Sequence, residues 1–435
     1  MKNIFYQKSL PLTGHYDVAV CGGGPAGIIA ALAAARNGAK VLLIERYGFL
    51  GGAATAGFVN PISVFRKNGK HVIKGMPWEF VERLAAVGGA VADYESGHVP
   101  VDVELYKLTA QRMLLEAGVE LCLHTYIADA LCQDGKITHL VLDNKNGLSA
   151  ISANQVIDCT GDGDVAAACG MPMQETPPKE ELQPCSLGLR LGGVKTDTLH
   201  GLHPSQPNAR YQVFSIREKF ESVAQEERIP QFGGPWFCTV LLDQEGIVNV
   251  NITRTAADAT HTPDIIAAEC SLREDIQQFV YLLKKYIPEF ENCFLITTAT
   301  QVGFRESRRI LGAHVLTAEE YMSAEHFADA VARGAHCIDI HRAKDTQQDV
   351  RFLDEAGYIP YRSLYNPAFA NLLVAGRCVS ADRVAFASTR VQATAMALGQ
   401  AAGTAAALCC KAGCSVADLD IAALREKLLE QGADV

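Results

Sequence analysis

The sequence predicts an α/β protein: a Rossmann-like, doubly wound domain interrupted by an inserted α+β domain. Three observations carry the prediction. Residues 17–45 read as strand, glycine turn, helix and a second strand ending in an acid. Residues 155–164, Gln155-Val-Ile-Asp-Cys-Thr-Gly-Asp-Gly-Asp164, are another apolar strand running into a glycine-rich turn. Residues 371–411 add a strand, a glycine turn and a long Ala/Gly helix, the order expected where a chain returns to its first domain after an insert. In a doubly wound sheet, strand ends of this kind line the ligand crevice.

The opening run is Asp17-Val-Ala-Val-Cys-Gly-Gly-Gly-Pro-Ala-Gly27. Gly22 makes the tight turn, Gly24 lets the backbone approach a pyrophosphate, and Gly27 packs helix on strand. Glu45, eighteen residues beyond Gly27, is spaced to accept from a ribose hydroxyl. A helix N-terminus facing the phosphates supplies free N–H donors and a favourable dipole. A dinucleotide site is therefore expected at residues 22–45. Residues 28–36 are Ala-rich for close packing, and Gly38 stops the helix. Glu45-Arg-Tyr-Gly-Phe-Leu-Gly-Gly-Ala-Ala-Thr55 then runs directly into a second glycine turn.

A helix is expected over 101–116, then strands at 119–123 and 126–131. The turn signal Asp134-Gly135 and the alternation over 137–142 complete a small meander. Pro172, Pro177, Pro178 and Pro184 mark a change of texture from Met171 onward. Beyond it, strands at 186–191 and 246–252 mix with helices at 214–227 and 263–286. Residues 1–170, 301–312 and 356–435 are assigned to the nucleotide domain, and 171–300 with 313–355 to the insert. Gly233-Gly-Pro-Trp236 lacks the helix and acid of a second nucleotide fingerprint.

With 435 residues, 49% of them hydrophobic and 20% charged, the chain has the length for two domains and the composition of a soluble globular enzyme. A net charge of −10 without a basic run argues against nucleic-acid binding. Residues 1–15 lack the apolar core of a signal peptide. Residues 393–410 are Ala-dominated and broken by Thr394, Gly399, Gln400, Gly403 and Thr404, so a helix buried in protein is expected rather than a membrane span. None of the fourteen cysteines forms a CxxC pair, which speaks against zinc and iron–sulfur sites. Reduced thiols, a cytoplasmic location and no metal are the expectation.

Five separated blocks give the chain a family resemblance. They are Gly22 to Gly27 with Glu45; Gly51 to Gly57; Asp158 to Asp164; Phe304-Arg-Glu-Ser-Arg-Arg309; and Ile359-Pro-Tyr-Arg-Ser-Leu-Tyr365 running on through 371–407. On them the chain resembles the FAD-dependent oxidoreductase family of the glutathione-reductase-like flavoproteins, over nearly its whole length. The resemblance implies a Rossmann-like FAD-binding domain holding extended, non-covalent FAD. Gly22, Gly24, Pro25, Ala26 and Gly27 would hold the pyrophosphate, with Glu45 on the ribose and Arg46 near the adenine. Gly51, Gly52, Ala53 and Thr55 would run along phosphates and flavin. Ile127 would lie against the adenine, and Thr160 with Gly161 on the phosphate side. Gly376, Arg390 and Val391 would meet the ribityl chain and the pyrimidine end of the ring. A helix N-terminus and an arginine there suit the negative charge of a reduced flavin.

The flavin carries the redox step, so the protein must orient substrate and handle a proton. Arg305, Arg308 and Arg309 form the densest basic cluster. Arg305 or Arg308 binds a carboxylate on one reading, since arginine presents a planar fork; on the other, the cluster is ion pairing that ties insert to nucleotide domain, the preferred reading for Arg309. His341 in Cys337-Ile-Asp-Ile-His341 is a general acid or base, with Asp339 on its side of a strand to orient the ring, or else a packed residue. Tyr361 and Arg362 are lesser candidates, and Cys159 and Cys378 are read as structural thiols. Arg305, His341 and Arg390 are thus the catalytic candidates. The expected activity is hydride transfer between flavin N5 and a small polar molecule, a hydroxy or unsaturated acid or a sugar-like alcohol. A flavoprotein subunit passing electrons within a larger complex is the alternative, and a homo-oligomer is allowed.

Overall fold

The computed structural model describes residues 4–92, 97–196, 209–239 and 246–435. The strand Leu12–Cys21 is buried on both faces from Val18 to Cys21, as befits the middle of a parallel sheet covered on both sides. Its neighbours, in sheet order, are Glu120–Cys122, Val41–Ile44, itself and Gly147–Asp158, all paired in parallel. Gly147–Asp158 is long enough to serve two partners on its other edge. Its first residues pair antiparallel with Lys136–Asn144, which pairs in turn with Tyr126–Gln133. Its last three pair in parallel with Leu372–Val374. The expected meander and the return of the chain's end to the first sheet are both present.

Helix Pro25–Arg36 lies against helix Gln392–Ala412 with almost nothing between their backbones. A Cβ on Gly399 would lie 2.2 Å from the Ala26 carbonyl oxygen, and one on Gly403 2.1 Å from that of Ala30. Glycine at 399 and 403 is thus a packing requirement. Helix Gln392–Ala412 is long and apolar enough to cross a membrane by composition, but 83% of its apolar window is buried inside the protein. It begins at Gln392, at the end of the segment 387–392 that the sequence has leading into it. Residues 383–389 form a separate helix, Arg383–Thr389, capped by Asp382, whose Oδ1 accepts from the amides of Val384 and Ala385 at 2.9 and 2.7 Å. Val391 is extended and starts the long helix afresh.

Residues 185–302 build a second, antiparallel sheet in the order Phe232–Thr239, Val248–Thr253, Leu189–Gly192, Phe294–Thr298. Helix Thr262–Tyr286 covers it with Ala268, Leu272, Ile276, Phe279 and Leu283, a stripe at helical spacing that forms a core of its own. The helix expected at 214–227 runs Ala209–Ser222 instead, and helices Met76–Ala86 and Ile421–Glu430 were not foreseen. Within 313–355, Leu316, Tyr321, Ala330, Val331 and Ile338 pack into the core of the first sheet and its helices. The hairpin Ile338–His341 with Gln348–Arg351 carries His341 to the second sheet.

Candidate cofactor and substrate site

The two glycine turns touch. The Gly51 amide donates to the Gly23 carbonyl at 2.8 Å, and a Cβ on Gly52 would lie 2.8 Å from Gly24 Cα. Gly22 (φ +101°) and Gly27 are glycines for packing reasons, since Cβ atoms there would lie 2.5 Å from Cys159 O and 1.8 Å from Gly22 O. Gly24 is different. Its backbone is extended, and a Cβ would meet nothing nearer than Gly52 Cα at 3.9 Å. Space kept open between two runs of backbone, at the N-terminus of a helix with Pro25 in its first turn, fits a pyrophosphate. Gly376 (φ +90°) packs on Ala26, 3.2 Å from where its Cβ would be, so the last strand's turn closes the same cradle.

Glu45 is buried, its Oε2 accepting from the Gly23 amide at 2.7 Å and its Oε1 from the Tyr47 amide at 3.0 Å. An ionised carboxylate has about four lone-pair sites, so acceptor capacity remains for a ribose hydroxyl. Arg46 lies over the Tyr47 ring at 5.0 Å and donates to Gln301 Oε1. Ile127 follows Thr125, whose amide donates to Glu45 O at 3.0 Å, so it stands at the same strand end. Thr55, buried, donates from its hydroxyl to Leu50 O at 2.8 Å and packs under Gly51.

Asp158 shapes the third turn. Its Oδ1 accepts from the Thr160 amide and hydroxyl at 3.0 and 2.7 Å, and its Oδ2 from the Ala166 amide at 3.0 Å. Burial raises its pKa against those bonds. Arg377, which the sequence reading passed over, donates to Gly161 O at 3.0 Å and Asp162 Oδ1 at 2.5 Å. Arg308 donates to Asp162 O at 2.8 Å and pairs with Asp164. Arg309 is tied to Glu306 at 3.3 Å and to Ala381 O at 3.1 Å. All fourteen cysteines are free. Burial pushes the Cys21, Cys159 and Cys378 thiols well up, so native alkylation is expected to label the exposed Cys132 and Cys270 first, as peptide mapping would show.

Arg305, His341 and Arg390 come together, joined by two residues that sequence reasoning missed. Arg254 is 2% exposed and donates from Nη2 to His341 Nδ1 at 2.6 Å. A guanidinium has no acceptor, so Nδ1 is the acceptor and Nε2 carries the proton, donating to Asp339 Oδ2 at 3.0 Å. Gln183 Oε1 accepts from the His341 amide and from Arg390 Nη2, both at 3.2 Å. Arg390 Nη2 also reaches Asp339 O at 3.1 Å. Arg305 Nη1 is fixed by Pro184 O and by Ser186 Oγ at 2.8 Å. One signal pointed to Arg254: it continues the inward alternation Val248, Val250, Ile252 of a strand in a second-sheet core.

Burial lowers Arg254 to about 10 and Arg305 to about 9, in each case helped by a neighbouring guanidinium. Burial and the Arg305 charge push His341 down to about 3, against the pull of Asp339. Burial alone would raise Asp339, but the His341 hydrogen bond and the Arg390 charge hold it well below the ordinary carboxylate range. His341 is therefore a neutral ring with both nitrogens engaged. The unfolded chain takes up a proton there below about pH 6.5, which the folded protein refuses until about pH 3. Stability is full above pH 6.5 and falls as pH drops, by at most about 1.4 kcal/mol per unit for this group. His341→Gln is expected to flatten urea stability between pH 6.5 and 4; parallel profiles for both proteins would contradict the assignment.

A Rossmann-like sheet with three strand ends converging on a glycine cradle, beside a buried polar cluster, defines a dinucleotide-dependent redox enzyme. The chain belongs to the FAD dependent oxidoreductase family, which matches residues 17–428; FAD is its cofactor, bound non-covalently. Thiamine thiazole synthases of Desulfosudis oleivorans and Methanococcus aeolicus are 35% and 29% identical over 167 and 166 residues. Those segments cover 36% and 35% of this chain, and 60% and 57% of the two synthases. The chain thus spans under two thirds of the length of these curated relatives. A geranylgeranyl bacteriochlorophyll reductase-like protein from Thermoplasma acidophilum is similar with a TM-score of 0.49 and 14% identity, over 97% of this chain and 84% of that one.

Proposed function

We propose that the enzyme transfers a hydride between flavin N5 and a small polar organic substrate, within a glutathione-reductase-like fold whose inserted domain covers the substrate. When bound, FAD supplies the hydride acceptor or donor. One observation carries this reading: Arg390 and Val391 are neighbours in the chain with opposite duties. Val391 starts the helix that packs on the cradle helix, and Arg390 reaches into the cluster of Gln183, Asp339 and Arg254. A single bend thus joins cofactor side to substrate side.

The cofactor contacts are those of Gly22 to Gly27, Glu45, Arg46, Gly51 to Thr55, Ile127, Thr160, Gly161, Gly376 and Val391. Arg390 and Arg305 orient polar groups of the substrate, and His341 fixes Asp339 and Arg254 in place as a neutral link. The protein works in the cytoplasm without nucleic-acid or membrane partners. The test is an anaerobic titration of the yellow holoenzyme with hydroxy acids, enoates, sugar alcohols and NAD(P)H, followed by visible absorbance. Bleaching by one class of donor, or bleaching by NAD(P)H with colour restored by an enoate, supports the reading. A holoenzyme whose colour changes with none of them overturns it.

A further inference from the structure

The cluster around Arg254 does not balance its charge. Arg305 interacts with both Arg254 and Arg390, and the one carboxylate common to all three is Asp339; Arg254 also feels Asp345, offset by Arg217, while His341 is neutral. Glu306, the other carboxylate near Arg390, is taken up by Arg309 and Arg383. Buried positive charge without a partner is expensive. The cluster also carries polar atoms that find no partner among the described residues: Arg254 Nε and Nη1, Arg390 Nε and Gln183 Nε2 as donors, and Asp339 Oδ1 as an acceptor. Such atoms are rare in native interiors and point to a group that is supplied from outside.

The cluster is also built to hold its shape. A Cβ on Gly233 would lie 2.0 Å from Arg254 Cζ, so the guanidinium lies flat on bare backbone. Gln183 and Arg254 form a floor at 2% exposure each, whereas Arg305, Asp339 and Arg390 are partly exposed and make a rim open to solvent. Donors outnumber acceptors four to one among the cluster's unpartnered atoms, and the charge left over is positive.

We infer that this cluster is a subsite for the carboxylate of an organic acid, held by Arg254, Arg390 and Gln183, with Asp339 Oδ1 accepting from a hydroxyl beside it. The inference rests on the hydride-transfer reading only for its purpose, since binding itself needs no turnover. It narrows the substrate from any small polar molecule to an acid, preferably a hydroxy acid. Neutral sugar alcohols, which offer no negative charge, are excluded from it.

The test uses oxidised holoenzyme, with oxalate and malonate as probes and malonamide and inorganic phosphate as controls. Binding is read by calorimetry and by thermal shift, neither of which requires flavin chemistry. Oxalate or malonate is expected to bind and to raise the melting temperature, with malonamide silent and phosphate weaker. Arg254→Met is expected to weaken binding at least 100-fold. Gln183→Glu places a carboxylate inside the cluster; it is expected to raise the melting temperature of the probe-free protein and to abolish probe binding. It also serves as the deciding variant should Arg254→Met not fold. No binding by wild type, equal binding by Arg254→Met, preference for phosphate, or a Gln183→Glu protein that is less stable and still binds would each overturn the subsite. Carboxylate binding with no acid able to bleach the flavin would leave the subsite standing and sink hydride transfer. Bleaching by a neutral alcohol without carboxylate binding would do the reverse.

Discussion

Gly24→Ala is expected to leave the protein folded and empty of flavin. The residue is extended, so its backbone tolerates any side chain, and the new methyl meets only Gly52 Cα at 3.9 Å. As the residue just before the helix, it lends no side-chain cap that alanine would remove. Stability of the apo-protein should therefore change by no more than about 1 kcal/mol. The methyl does, however, occupy the space through which backbone approaches the pyrophosphate. FAD affinity should drop about 100-fold or more, equivalent to about 2.7 kcal/mol. Gly27→Ala is the contrast: its Cβ falls 1.8 Å from the Gly22 carbonyl oxygen, so it should destabilise the apo-protein before any cofactor is added. Flavin absorbance after gel filtration, read beside apo-protein melting, separates the two. A Gly24→Ala protein that keeps a full complement of FAD would place the cofactor elsewhere.

Glu306→Ala is expected to be among the most damaging single changes in the protein, at about 3–5 kcal/mol by urea unfolding. The Glu306 side chain is fully enclosed. Its Oε1 accepts from Arg383 Nε at 2.8 Å and Arg309 Nη1 at 3.3 Å, and its Oε2 from the Gln183 amide and Arg383 Nη2, both at 3.1 Å. Arg383 can swing to solvent, since its side chain is 34% exposed, but Arg309 at 5% cannot. The loss is therefore the cost of one stranded guanidinium and one stranded amide. Glu306→Gln keeps the shape and drops the charge, so an intermediate loss is expected. An alanine variant within 1 kcal/mol of wild type would show that the network is not what secures this segment.

The parts of the fold that could be read in advance are those whose reason is local. Strand, turn and helix at 12–44 follow from an apolar run, three glycines and an alanine stretch that fix their own geometry. Helix Thr262–Tyr286 announces itself by its stripe. Strand Phe232–Thr239 was missed because Gly233-Gly-Pro235 looks like a turn, whereas Gly233 is there to seat Arg254. The glycine turns at 22–27 and 51–52 were legible in the same local way. The polar cluster was legible only in part: Asp339 and His341 share a strand face, and their 3.0 Å hydrogen bond follows from that alternation. Gln183, Arg254, Arg305 and Arg390 meet through tertiary packing, and no spacing in the chain encodes such a meeting. The helix start beside Arg390 was legible, whereas the short helix Arg383–Thr389 before it was not.

The seam between helices Pro25–Arg36 and Gln392–Ala412 has a consequence for how the protein is made. The glycine-turn helix and the helix that lies against its alanines are far apart in the sequence, at 25–36 and 392–412. Residues 37–391 have to be synthesised between them before that surface is covered, a contact of very long range and therefore a late one in folding. Until then Ala26 and Ala30 lack the Gly399 and Gly403 backbone that packs on them in the folded protein. Cofactor capture is thus tied to completion: a stalled product that stops short of Gln392 should reach the proteases without ever turning yellow.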